Sequence, residues 1–315
     1  MTPSTARALS GTAFATLLLI ALMMGANHVA ARIAFNHGVD VATAVFFRST
    51  VTVFVIVCLL AVQRVRVSFT ARHKRMLPLI GLLIGVQSLC LYSAVARLPV
   101  ALALLAFNTY PIWAAFWSWA IYKQPPERPL LLAMPVILVG LALALDVFGA
   151  ASGLGAQGQW ARIGAGVGFA LAAGATFGLA MVMTQHEAGG VDGRVRTATT
   201  MAMAALVALT MVVSQGGFHL PQAPAGWGGL LALTVLYGTA FTILFTVLPR
   251  LGVVGNSAIM NVEPVFALVL AWLILGQTIA TIQVIGALIV VGAVMVLGMR
   301  KRTSLLPPIP PPKQA

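Results

Sequence analysis

Apolar residues gather into ten runs along the chain, near 10–31, 41–62, 76–96, 99–121, 129–149, 162–184, 197–215, 227–248, 253–275 and 279–299. Most reach the roughly 20 residues that a helix needs to cross a bilayer. Short patches of Arg, Pro, Gly and Gln separate them. Leu, Ala, Val and Gly dominate, without the period-2 alternation of a membrane β-barrel. The pattern predicts an all-α integral membrane protein with ten transmembrane helices. The first run outlasts the short apolar core of a signal peptide and reads as a retained helix. Composition agrees: 8% of the 315 residues are charged and 60% are apolar, against about 25% charged in soluble domains. An ordinary soluble enzyme, a disordered chain and a disulfide scaffold are all excluded.

The net charge of +13 raises the question of a polyanionic partner, and its placement answers it. With the N-terminus cytoplasmic, fifteen of the nineteen basic residues fall in inner segments: Arg7, the Arg64–Arg75 stretch, Lys123 with Arg128, Arg194 with Arg196, Arg250, and the Arg300–Lys313 tail. Arg32, Arg97 and Arg162 fall outside, and Arg48 lies within the second span. This positive-inside bias needs no nucleic acid and puts both termini in the cytoplasm.

An internal repeat sets the architecture. Shifting the chain by 153 residues aligns 97–124 with 250–277, with nine identities that include Arg97/Arg250, Asn108/Asn261, Pro111/Pro264, Trp119/Trp272 and Gln124/Gln277. The same shift superimposes Gly11 on Gly164, Gly25 on Gly178 and Gly85 on Gly238. Five helices separate the copies, and because five is odd the second copy enters the membrane inverted. The fold expected is therefore two inverted five-helix repeats, at 10–149 and 162–299. A cytoplasmic N-terminus (1–9), a periplasmic connecting loop (150–161) and a basic, Pro-rich cytoplasmic tail (300–315) complete it. Inverted repeats are characteristic of secondary transporters, whose site lies near the midplane between the halves.

The run N-V-E-P-V-F-A-L-V-L-A-W-L-I-L-G at 261–276 and its partner N-T-Y-P-I-W-A-A-F-W-S-W-A at 108–120 resemble the paired signatures of the EamA-type family, in the drug/metabolite transporter superfamily. The likeness covers about residues 10–300. It implies a multi-pass carrier of the bacterial inner membrane, often an exporter of amino acids or related metabolites. The family often ends both signatures in Gly-Glu, whereas Lys123-Gln124 and Gly276-Gln277 stand here.

Candidate substrate-binding residues follow from intramembrane polarity. Glu263 is the one acid well inside a span, and an ionisable group there costs about 2.5–3.5 kcal/mol on insertion scales, so it faces a cavity or a partner. It reads either as a substrate amino-group contact or proton switch, or as a structural carboxyl beside Pro264. Pro111 and Pro264, at matching positions, free the carbonyls of Phe107 and Met260 and are candidate hinges. Helical spacing places Phe107, Tyr110, Trp113 and Trp117 on one face and Asn256, Met260 and Glu263 on its counterpart, so that aromatics and carboxylate would face each other. Arg48 could bind a substrate carboxylate, pair with Glu263 or snorkel outward. Asn27, His28 and Arg32 near the outer end of the first span could form a vestibule. Tyr92 and Tyr237 complete the candidates.

No catalytic constellation, metal-ligand spacing or cofactor motif stands out; Gly153–Gly158 fits G-x-G-x-x-G but follows no strand. Cys58 and Cys90 read as apolar fillers. The expected partners are a small-molecule substrate and the lipid bilayer, with protons as the candidate coupling ion, no cofactor, and a monomer or homodimer as the working unit. Cationic-drug export or nucleotide-sugar carriage are the competing substrates; a channel or non-transporting receptor is the competing class. Gly81/Gly85, Gly164/Gly168 and Gly174/Gly178 are expected sites of close helix approach.

Overall fold

A computed structural model describes residues 11–65, 67–126, 128–247 and 262–299. Among these residues the chain forms eleven α-helices and no strand: α1 (Gly11–Asn36), α2 (Val41–Val62), α3 (Ala71–Arg97), α4 (Val100–Phe107), α5 (Tyr110–Tyr122), α6 (Arg128–Ala144), α7 (Gly155–Glu187), α8 (Gly193–Ser214), α9 (Pro224–Thr246), α10 (Glu263–Leu275) and α11 (Thr281–Met299). Seven stretches, with Val100–Tyr122 taken as one, are long and apolar enough to span a membrane; Arg128–Ala144, Glu263–Leu275 and Thr281–Val296 are shorter apolar helices. This is a helical integral membrane protein. Large apolar side chains such as Phe54, Leu132 and Val213 are exposed, as suits surfaces facing lipid.

The helices differ from the apolar runs where local chemistry intervenes. The fourth run breaks into α4 and α5 because Pro111 has no N–H to offer Phe107 and disfavours helical geometry before it. Thr109 bridges the break, its hydroxyl donating to Ala106 O at 2.8 Å. The fifth run stops at Ala144 and α7 starts at Gly155, earlier than the expected 162. Asp146 builds this connection by accepting from the Ala151 and Ser152 N–H groups at 3.0 and 2.8 Å. Gln159 then donates to Leu145 O at 3.0 Å, capping α6. Asp40 caps α2 through the Ala42 N–H, and Asp192 caps α8 through the Arg194 N–H. The Arg194 guanidinium holds the Asp192 carboxyl below its ordinary range.

Spatial neighbours come mostly from opposite halves of the chain. α1 lies on α9 and α10, α3 on α7 and α8, α2 on α8 and α9, α6 on α11, and α4 and α5 on α7. Within lipid, apolar burial gives little reason for helices to associate, so small residues that admit a neighbouring backbone decide where they touch. A methyl group at Gly81 would lie 2.6 Å from Met203 Cβ, and one at Gly85 3.0 Å from Val207 Cβ, which docks α3 on α8. Gly174 and Gly178 dock α7 in the same way on residues 107–114. By contrast, Gly168 has nothing within 4 Å, and Gly164 meets only Trp160 of its own helix. At the centre, every residue of α4 from Val100 to Ala106 is buried.

α5 and α10 are built alike. Both run for 13 residues with Pro second, at Pro111 and Pro264. Both end on a left-handed residue, Lys123 at φ +57° and Gly276 at φ +62°. Both close with the same bond, Gln124 N to Ser118 O and Gln277 N to Ala271 O, each 3.2 Å. The Gln277 side chain also caps α4, accepting from Val100 N–H at 3.1 Å. That contact fastens the end of α10 to the start of the buried helix.

Candidate functional site

Gly25 begins the site. A methyl group there would stand 3.0 Å from Ala267 N and 3.1 Å from Glu263 O, so glycine lets α1 settle on the first turn of α10. One turn further on, His28 Nε2 reaches Glu263 Oε1 at 3.2 Å. His28 is buried, Glu263 is 26% exposed, and His28 Nδ1 has no partner. An Nε2–H donating to the carboxylate leaves only a lone pair at Nδ1, which costs less than an unmet N–H.

The remaining polar residues converge beside it. Asn27 exchanges hydrogen bonds with the Tyr92 hydroxyl at 3.0 and 3.1 Å. Arg48 donates from Nη1 to Tyr92 OH at 3.2 Å and from Nη2 to Ser88 Oγ at 2.9 Å. Its guanidinium carbon lies 4.1 Å from the Tyr237 ring centre and 4.8 Å from that of Tyr92, two cation–π contacts. Arg48 is 3% exposed; it neither snorkels outward nor pairs with Glu263. The His28 and Tyr92 rings lie 5.5 Å apart and link the two sets of contacts. Six of the candidates, Asn27, His28, Arg48, Tyr92, Tyr237 and Glu263, thus form one cluster from α1, α2, α3, α9 and α10. Arg32 stands apart, donating to Val95 O and Leu98 O at the end of α3.

The aromatic candidates are drawn elsewhere. Phe107 and Tyr110 both pack on Phe177 of α7, with centroids 5.3 and 5.1 Å away. Trp113 lies against Gly178, and Trp117 Nε1 donates to Ala175 O at 3.0 Å. Phe107, Trp113 and Trp117 thus all contact α7. The face arithmetic assumed an unbroken helix through 107–117, and the break at 108–109 resets the rotation. Pro111 and Pro264 each occupy the first turn of a helix. Asn256, with Met260 and Asn261, lies outside the described residues.

Two groups of polar residues gave no local signal in the sequence. Ser88 matters only because α3 brings it to Arg48. Glu187, at the end of α7, pairs with the Arg72 guanidinium, and Tyr122 OH donates to its other oxygen at 2.8 Å. Tyr122 also stacks on His186 at 3.9 Å. These partners are 65 and 115 positions from Glu187 and tie α3, α5 and α7 together at one end. Glu187→Gln, which removes the charge but keeps the size, is expected to lower the melting temperature in detergent. An unchanged melting curve would show that the tie holds nothing.

Residues 11–145 and again 164–299 match the EamA-like transporter family. The chain belongs to this family. It is 24% identical over 252 residues to the threonine/homoserine exporter RhtA of Escherichia coli, covering 76% of this chain and 77% of that one. It is 25% identical over 232 residues to an uncharacterized transporter of Synechocystis sp., covering 70% of this chain and 65% of that protein's length. A solved crystal structure superposes over 90% of this chain and 97% of its own, with a TM-score of 0.59 at 17% identity. At that identity the likeness shows a shared fold.

Proposed function

We propose that the protein is a secondary carrier that moves a small metabolite, an amino acid or derivative in the first instance, out across the bacterial inner membrane by alternating access. The observation that carries this reading is the buried cluster of His28, Glu263, Arg48 and their tyrosines. It occupies helix interiors where ionisable groups are costly unless they serve a pathway, in a chain of a transporter family. The name of its Escherichia coli relative, a threonine/homoserine exporter, supports an amino-acid substrate.

In this reading ten spans form two inverted five-helix halves. Support comes from the repeated family match, the twin construction of α5 and α10, and their docking. Gly25 meets Glu263, Phe266 and Ala267, while Gly178 meets Tyr110, Trp113 and Ala114; each pair of positions differs by the same 153 residues. One backbone contact is thus used twice, as a pseudo-two-fold relation requires. The positive-inside bias puts both termini in the cytoplasm, and with them the Glu187 tie. The repeat counterparts of Glu187, Arg72 and Tyr122 are Ala34, Ala225 and Leu275, so this tie is not repeated at the other end, where His219 instead approaches Asp40 at 3.6 Å. The His28–Glu263 pair is the proposed seat of proton coupling.

The test is counterflow in proteoliposomes. Vesicles preloaded with unlabelled amino acid should accumulate labelled amino acid transiently and saturably, and an imposed pH gradient should alter the rate. Flux that rises linearly with concentration, without stimulation by internal substrate, would indicate a channel and overturn the proposal.

A further inference from the structure

Among the described residues, Arg48 is a buried cation without an anion. Five of the six acidic residues lie in the described structure, and each is engaged elsewhere. Asp40 caps α2, Asp146 holds the Ala151 and Ser152 N–H groups, and Glu187 holds Arg72 and Tyr122. Asp192 holds Arg194, and Glu263 holds His28. The sixth, Glu127, lies outside the described residues. Of the five guanidinium N–H bonds of an arginine, Arg48 spends one on Tyr92 and one on Ser88, both neutral hydroxyls. Its Nε is buried with no partner at all. Burying a charge in this way is expensive unless an opposite charge joins it.

The surroundings fix the group's orientation. Tyr92 and Tyr237 lie against the guanidinium, while Ser88 and Tyr92 hold its terminal nitrogens. A planar fork so held, with Nε–H and further N–H bonds unspent, matches the two oxygens of a carboxylate. From this geometry we infer that Arg48 is the docking point for the free carboxylate of the transported substrate, an inference that rests on the carrier reading above. Glu263 joins the same cluster through His28, whose ring lies 5.5 Å from that of Tyr92, so a zwitterion would find both its charges answered there.

The repeat also limits the ligand to a single carboxylate. The counterpart of Arg48 is Met201, whose sulfur sits 3.9 Å from the Tyr237 hydroxyl. The half-buried guanidinium of Arg32 is occupied by the α3 carbonyls. A dicarboxylate would leave its second charge without a cation, whereas a monocarboxylate with a neutral or cationic remainder would not.

The experiment measures melting temperature for the full chain in detergent, with counterflow run on the same preparation. The probes are the twenty common amino acids, the carboxamide of each, and sodium chloride at matched ionic strength. At least one free acid is expected to raise the melting temperature while its amide, equal in shape, does not. Arg48→Gln should abolish that shift, and Arg48→Lys should keep the charge and weaken binding at least about tenfold, the cost of a lost bidentate contact. If the Gln variant fails to fold, the Lys variant carries the comparison. Equal shifts by acid and amide, a shift by chloride as large as by any acid, or no shift by any acid overturns the inference. Counterflow of a carboxyl-free cation such as tetraphenylphosphonium, without any shift by acids, would keep the carrier and discard the Arg48 assignment. Absence of both shift and counterflow would sink the two together.

Discussion

Glu263→Gln is expected to abolish counterflow while leaving a folded, membrane-inserted protein. The substitution keeps the shape of the side chain and an oxygen that can accept from His28 Nε2, now 3.2 Å from the carboxylate. What it removes is the negative charge and the ability to take up a proton. Exchanging a charge-assisted hydrogen bond for a neutral one costs about 1 kcal/mol of stability, which lowers the melting temperature by only a few degrees, on the order of 2–4 °C. Losing a buried charged contact to a bound ligand costs about 2–5 kcal/mol, or at least about thirtyfold in transport. The two quantities therefore separate. A variant that melts near the wild type and transports normally would show that Glu263 serves only the structure. His28→Gln provides the complement, since it removes the proton-sharing partner and leaves the carboxylate in place. Its transport should lose sensitivity to pH before it loses substrate.

Alanine at Gly178 should damage the contact between α7 and α5. The added methyl would lie 2.7 Å from Ala114 N and 3.0 Å from both Tyr110 O and Trp113 Cβ. Two of those atoms are backbone and cannot rotate aside, so α7 must move off α5. Overpacking of this kind costs about 1–3 kcal/mol, or roughly 2–12 °C in melting temperature. Gly25→Ala meets its nearest atoms at 3.0–3.3 Å and should cost less stability. It should nevertheless impair transport, because displacing α1 from α10 lengthens the His28–Glu263 contact. Gly168→Ala, with nothing within 4 Å, is the control and should leave the melting temperature unchanged. Equal melting temperatures for all three variants would refute the view that glycine contacts set the helix spacing.

The sequence was informative wherever a property is written locally along the chain. Lipid has no use for exposed polar backbone, so runs of apolar residues had to be helices. The offset of 153 emerged from identities in one register, and it reappears in the residues that Gly25 and Gly178 touch. Glu263 stood out because acids are rare in helix interiors, and Arg48 for the same reason. Family membership was legible in the two Pro-centred signatures.

Local patterns did not reveal which faces meet. Gly81/Gly85 and Gly164/Gly168 have the same spacing, yet only the first pair admits another helix, because spacing defines a stripe and not what lies opposite it. The direction of the aromatic stripe depends on residues 108–109, where Pro111 interrupts the helix and a rotation carried through from 107 no longer holds. Ser88, Tyr122 and Arg72 looked ordinary, since their importance comes from partners tens of residues away.

The sequence by itself thus determined that the chain lives in a membrane, is helical, repeats itself and carries a costly acid and a costly base within its spans. Hydrophobic length, charge asymmetry and the energy of burying ions act on each segment independently, and so they can be read one segment at a time. Only the tertiary structure decided that Glu263 is answered by His28 and that Arg48 is answered by no acid in the described structure. Pairing depends on how glycine contacts set the rotation and depth of one helix against another. A shift of one residue, about 100° around a helix, would have broken those pairings.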